Sequence, residues 1–274
     1  MLAHFLRRVI LALGILAGGG LPAVAGEAVH LATTTTIEDS GLLEILLDAY
    51  AAADGDPVRA VVRGTGEVFA LARRGDADLV LTHDTEGERS LVRDGVGLAR
   101  ATLMVNDFVI VGPATDPAGI AAGDDASAAL ARIAAAGVPF VSRGDDSGTH
   151  RRERELWQAA GPMPAGDRYL ESGSGMGMTL NIASARNAYT LTDRGTWLAF
   201  RNKGDLRVLV EGDPRLRNVY GLVLVDPAGR TWINAAGARR FADWLLSPAG
   251  QAIIAGYRID GVQAFQPAAS GWEK

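Results

Sequence analysis

Apolar runs rich in valine and leucine alternate with longer stretches of helical period along almost the whole chain. The short apolar runs predict strands at 28–33, 57–63, 78–82, 101–111, 138–142, 206–210 and 219–225. The longer amphipathic stretches predict helices at 40–53, 67–74, 127–136, 150–160, 176–186, 235–246 and 248–257. Such alternation implies an α/β fold with largely parallel sheets. Two turn-rich breaks, 112–117 and 211–214, each follow a strand-like run. If both are crossings between lobes, residues 26–111 and 214–274 make lobe I and residues 112–213 make an inserted lobe II, joined by a double hinge.

The first 25 residues depart from this pattern. Arg7 and Arg8 precede an apolar, glycine-rich run, and Ala23-Val24-Ala25 has the small-residue form of a leader-peptidase site. A signal peptide at 1–25 is therefore expected, with cleavage near Ala25 and a soluble product in the periplasm. No later run approaches the roughly 20 apolar residues that a membrane-spanning helix needs. The sequence has no cysteine, which excludes a disulfide framework, a thiolate metal site and a lipid-anchoring cysteine after the leader. Losing the two leader arginines moves the formal net charge from −5 to −7. An acidic chain of this kind argues against nucleic acid as a partner but not against a small anion, which responds to local donors.

Donors of that kind gather at four predicted helix starts. The richest is 140–150, where an apolar strand runs through Arg143-Gly144-Asp145-Asp146 into Ser147-Gly148-Thr149. Ser147 stands where an N-cap belongs, and the free amides and positive end of a helix add to the Ser147 and Thr149 hydroxyls and the Arg143 guanidinium. Thr33-Thr34-Thr35-Thr36 follows the first strand, where ligands collect at the carboxyl edge of an open α/β sheet, although threonine also simply favours strands and Thr36 with Asp39 could form a capping box. Gly64-Thr65-Gly66 opens the next helix and lacks the lysine of a P-loop. Gly173 to Gly177 opens another and suits a backbone nest better than a dinucleotide fingerprint. Two of these segments fall in each proposed lobe, so a closing cleft could surround a tetrahedral oxyanion.

The order Ala32 to Thr36, Asp39 to Leu43, Gly64-Thr65-Gly66, Gly75 to Asp78, Asn106 to Pro113, Ser142 to His150, Gly175-Met176-Gly177 with Thr179-Leu180-Asn181, and Ala188 to Thr196 resembles the substrate-binding component of bacterial tungstate ABC importers. The spacing from Arg143 to Ser147-Gly148-Thr149 is also similar to the anion contacts of phosphate-binding proteins in the same superfamily. The resemblance implies a type II periplasmic binding protein fold. It further implies one dehydrated oxyanion, tungstate or molybdate, as ligand, no cofactor, and delivery by a monomer to a membrane permease with its ATPase subunit. Its site residues would be Thr34, Thr35, Thr36 and Thr65 from lobe I, and Arg143, Ser147, Gly148, Thr149 and Gly177 from lobe II. From the residues themselves, Asp145 or Asp146 could supply the acceptor that the proton of monohydrogen phosphate needs, or pair with Arg143 and fix its plane. The family usually has serine at position 36, glutamine at 174 and an acid at 186, where this chain has Thr36, Ser174 and Arg186.

Molybdate, phosphate and sulfate remain alternative ligands. A reading from another class is a serine hydrolase or phosphatase built on Asp146, Ser147 and His150. Three near-neighbours at one helix start converge poorly, however, and an enzyme leaves the threonine run without a purpose. Nothing in the sequence sets a metal-binding separation between His83 and His150.

Overall fold

The computed structural model describes residues 27–121 and 123–274; the expected leader lies outside them. The first half of the fold comprises β1 (Val29–Thr34), α1 (Thr35–Asp39), α2 (Leu42–Ala52), β2 (Val58–Arg63), α3 (Thr65–Arg74), β3 (Leu79–Thr82), α4 (Thr85–Arg93) and the long β4 (Gly97–Pro113). There follow α5 (Ala126–Ala136), β5 (Phe140–Ser142), α6 (Gly148–Ala160), β6 (Tyr169–Glu171), α7 (Met176–Arg186), β7 (Thr190–Asp193), α8 (Arg194–Ala199) and β8 (Leu206–Val210). The chain returns through β9 (Arg217–Val225), α9 (Ala235–Leu246), α10 (Pro248–Gly256) and the short β10 (Arg258–Ile259), β11 (Val262–Gln263) and β12 (Gln266–Pro267).

The expected α/β class is present, but the sheet is mixed rather than largely parallel. Among the strands of the described residues, only β1 with β2 and β3, and β5 with β6, pair in parallel. β9 runs antiparallel to both β3 and β4, and β7 and β8 pair antiparallel with the far half of β4. Hydrophobic pattern reports burial on one face or two; it carries no sign of strand direction.

Burial on both faces explains the continuous apolar runs. Along the β1, β3 and β9 ladder, Leu31, Leu79 and Leu224 pack on one face against Leu46 and Phe241, while Ala32, Val80 and Val223 pack on the other against Phe69 and Leu91. β4 repeats the alternation further on: Phe108 and Ile110 face Leu130 and Trp157, and Val109 and Val111 face Met176 and Leu180. Each such aliphatic side chain contributes about 1.5–3 kcal/mol of transfer free energy.

β4 changes partners midway. Up to Asp107 it pairs with β9, and from Phe108 onward with β7 and β8. The two apolar clusters on either side of that point share no residue of β4, since Met104 belongs to one and Phe108 to the other.

Candidate functional site

Strand register brings three chain segments to one edge of the first sheet. Thr34 is opposite Arg63, so the end of β1 lies beside Gly64 and Thr65, and Thr33 is opposite Leu81, two residues before His83. From the other half of the molecule the N-terminus of α6 faces this edge. The Gly148 amide donates to Thr65 Oγ1 at 3.3 Å. A Cβ on Gly148 would lie 2.9 Å from His83 Cε1, so glycine is required for that approach. α1 also packs against α7 and α8.

The four threonines have different surroundings. Thr33 donates to the Leu81 carbonyl at 2.8 Å and is part of the core. Thr34 ends β1 with its hydroxyl buried and without a hydrogen-bond partner. Thr35 is half-buried at the start of α1. The Thr36 hydroxyl lies 3.2 Å from His83 Nε2. The helix expected at 40–53 is α2, and a further short helix, α1, precedes it with Thr34 as N-cap, so the capping box between Thr36 and Asp39 does not form.

Arg143 follows β5 and is buried. Asp145 Oδ2 accepts from its Nε at 3.1 Å and from its Nη2, which leaves Nη1 buried and unpartnered. The Asp145 carboxyl is kept below its usual range: burial raises it, and the charge of Arg143 with bonds from Ser147 outweighs that. Gly144 (φ 61°) and Asp146 (φ 54°) turn the chain through left-handed backbone into α6. Ser147 caps α6 by accepting from the His150 amide at 3.3 Å, and the Thr149 hydroxyl, fully buried one residue past the helix start, has no partner. Gly177 stands in the first turn of α7 with open space around it.

Helix capping separates these helices from the rest. α4, α5, α6, α8, α9 and α10 each begin with a side chain that accepts from the first turn. α3 and α7 begin at Gly64 and Gly175 without one, as do α1 and α2. The first amides of α3 and α7, including that of Gly177, are therefore left for another acceptor.

The charge of Arg143 is felt by groups from several elements. His83 is lowered to about 4, first by burial and then by Arg143. Asp39 is raised by burial and by Glu38, with Arg143 opposing. Asp193 is raised to about 6 by burial, against bonds from Thr196, and with Arg143 again lowering it. An adjoining cavity of about 280 Å³, lined by His83, Asp84, Gly148 and Arg151 among others, includes none of Thr34, Arg143 or Thr149. The unpartnered donors thus lie inside closed packing rather than in an open pocket.

The grouping that would serve a hydrolase does not assemble. His150 Nδ1 accepts from the Asp146 amide at 3.0 Å, and the Asp146 carboxylate is held by Arg151 at 3.2 and 2.8 Å. No hydrogen bond joins the His150 ring to Ser147 Oγ. Sequence reading weighed His83 only as a metal ligand with His150, and it overlooked Asn106, Asp193 and Asn218 as neighbours of this site. Asn106 and Asp193 occur in the segments that carry the family resemblance, which was the signal available.

A chain of mixed α/β sheets whose edges meet across buried donors is the form of a periplasmic binding protein, and the family model for the PBP superfamily domain matches residues 22–249. The chain belongs to that superfamily. Within it, the chain is 40% identical over 250 residues to the tungstate-binding protein TupA of Peptoclostridium acidaminophilum, covering 90% of this chain and 87% of that one. It belongs to the TupA family of tungstate-binding proteins. Among solved structures, it is similar to the tungstate-binding protein TupA of Desulfovibrio alaskensis G20, with 39% identity, a TM-score of 0.78, and coverage of 89% of this chain and 99% of that one. It is equally similar in fold to the tungstate ABC transporter structure from Geobacter sulfurreducens, at 43% identity, TM-score 0.78, and coverage of 85% and 100%.

Proposed function

We propose that this chain is the periplasmic component of an ABC importer, enclosing one tungstate ion between its lobes and delivering it to a membrane permease. One observation carries the reading: Thr34 Oγ1, Arg143 Nη1 and Thr149 Oγ1 are buried donors without partners, drawn from both sides of the cleft. Leaving a buried donor unsatisfied costs about 1–3 kcal/mol, and a bound oxyanion removes that cost three times over. Charge-assisted bonds of about 1.5–3 kcal/mol each, with uncapped amides at α3 and α7 and the dipole of α6, supply the rest.

The two aspartates of the turn into α6 are both engaged by arginines. Asp145 is occupied by Arg143 and by the Ser147 amide, and Asp146 by Arg151. Thr35, Thr65, Ser147 and the Gly148 and Gly177 amides complete the proposed surroundings. Thr65 Oγ1, already accepting from Gly148, keeps its own proton to give.

The lobes in this reading are 27–107 with 217–274, and 108–216, the first crossing lying where β4 changes partners. The residues that bridge them include Arg151 with Asp84, and Arg201 with Asp260 at 2.8 Å. Export by a leader at 1–25 places the protein in the periplasm. Among the described residues no helix is long and apolar enough to cross a membrane. The role is binding without turnover, since the hydrolase grouping is taken up by other bonds. Calorimetry against tungstate, molybdate, sulfate and phosphate tests it; tungstate is expected to bind tightest, and phosphate binding tightest would overturn it.

A further inference from the structure

A buried line of side chains crosses from one lobe to the other beneath the site. Asn106 Nδ2 lies 3.5 Å from Asp193 Oδ1, a long contact, and Asn218 Nδ2 donates to Asn106 Oδ1 at 2.8 Å. His83 Nδ1 lies 3.1 Å from Asn218 Oδ1, and Thr36 Oγ1 lies 3.2 Å from His83 Nε2. All five residues are buried, and Asn106 and Asn218 are direct register partners on β4 and β9, the two strands on which the chain passes between lobes.

Each link constrains the next. A carboxylate only accepts, so Asn106 turns its amide nitrogen to Asp193 and its carbonyl to Asn218. Asn218 must then give its nitrogen to Asn106 and its carbonyl to His83. The imidazole, neutral in this setting, therefore carries its hydrogen on Nδ1 and a lone pair on Nε2. The Thr36 hydroxyl can satisfy that lone pair only by donating to it.

We propose that Asp193 is a positioning residue which, through Asn106, Asn218 and His83, commits the Thr36 proton to the protein, so that Thr36 gives no hydrogen bond to the bound oxyanion. This rests on the oxyanion reading of the cleft. It divides the threonine run by role: Thr34 is a ligand donor, and Thr36 is an anchor of the His83 ring, whose edge in turn packs on Gly148 across the cleft. Because the line passes through register partners on both crossing strands, the state of His83 reports on how the lobes are joined.

The test is long-range nitrogen–proton NMR of His83 in the full protein at neutral pH, with and without tungstate. A neutral Nδ1–H imidazole is expected; an Nε2–H or a charged ring would overturn the proposal. In Asp193→Asn, which keeps an oxygen to cap α8, the acceptor-only constraint is lifted and the Nε2–H form is expected to appear. An unchanged Nδ1–H signal there would remove Asp193 from the role. Thr36→Val is expected to weaken tungstate binding less than about threefold, against about tenfold for Thr149→Val; an equal loss would overturn the assignment of Thr36. A wild-type protein that shows the Nδ1–H ring yet fails to bind tungstate would count against the oxyanion reading and leave the hydrogen-bond direction standing.

Discussion

Arg100 and Arg143 are both buried to 3% exposure, both are paired with a carboxylate, and both keep one nitrogen without a partner, yet their surroundings differ. Arg100 lies on β4 and donates to Glu88 at 2.8 Å and to Thr102 at 3.1 Å, with Glu88 also accepting from Thr82 at 2.7 Å. Its free Nη2 faces Gly221, where an added Cβ would lie 2.9 Å away. Arg143 instead precedes the start of α6, whose Thr149 hydroxyl is also buried without a partner and whose Gly148 amide meets Thr65 at the edge where Thr34 ends β1. In the function proposed above, a buried unpartnered donor serves a ligand only where others approach it from elements that can separate.

Removing each arginine should break the comparison in opposite ways. Arg100→Ala leaves Glu88 as an uncompensated buried charge and is expected to destabilise the fold by about 3–5 kcal/mol, measured by denaturant titration, with tungstate affinity of the folded fraction unchanged. Arg143→Ala is expected to lower tungstate affinity by about 100-fold, roughly the loss of one to two charge-assisted bonds, while the unliganded protein loses less stability than Arg100→Ala does, because Asp145 is less buried than Glu88 and keeps the Ser147 amide. Equal stability losses in the two variants would mean that Arg143 is structural. Thr34→Val and Thr149→Val should each cost about tenfold in affinity by calorimetry, in line with one neutral hydrogen bond of about 1–1.5 kcal/mol.

The smallest effect is electrostatic. His83 has a folded pKa of about 4, below its ordinary 6.5, so the unfolded chain binds a proton first and this histidine's contribution to stability is lost as pH falls from 6.5 toward 4. Because Arg143 is the second cause of that depression, His83 should titrate higher in Arg143→Ala, and the loss should then level off at a higher pH. Arg100→Ala should leave the His83 titration in place, since Arg100 is not among its causes. NMR titration of the two variants measures both.

Much of the site could be seen in the sequence because its parts are local. Arg143, Ser147, Gly148 and Thr149 lie within seven positions, and the turn, the N-cap and the helix start follow from their residue types. The threonine run was recognisable but not resolvable. A strand ending at Thr34 and a helix starting at Thr35 give four identical side chains four different neighbours, and no local rule separates them. The short α8 and β7 were not anticipated, and with them Asp193 went unnoticed, since six helical residues after four strand residues leave too little periodicity to detect.

By itself the chain determined that it would be α/β, that donors would gather at certain helix starts, and that Arg143 would sit beside hydroxyls, because composition, turn chemistry and capping act within a few residues. Only the tertiary structure decided that β9 would run against β3, that β4 would serve two sheets, and that Asn106, Asn218, His83 and Thr36 would join in one line. Those outcomes depend on pairing between segments more than 100 residues apart, as with His83 and Asn218, and on which face of each strand meets the core. Such pairings are selected by packing of the whole molecule, which no single segment encodes.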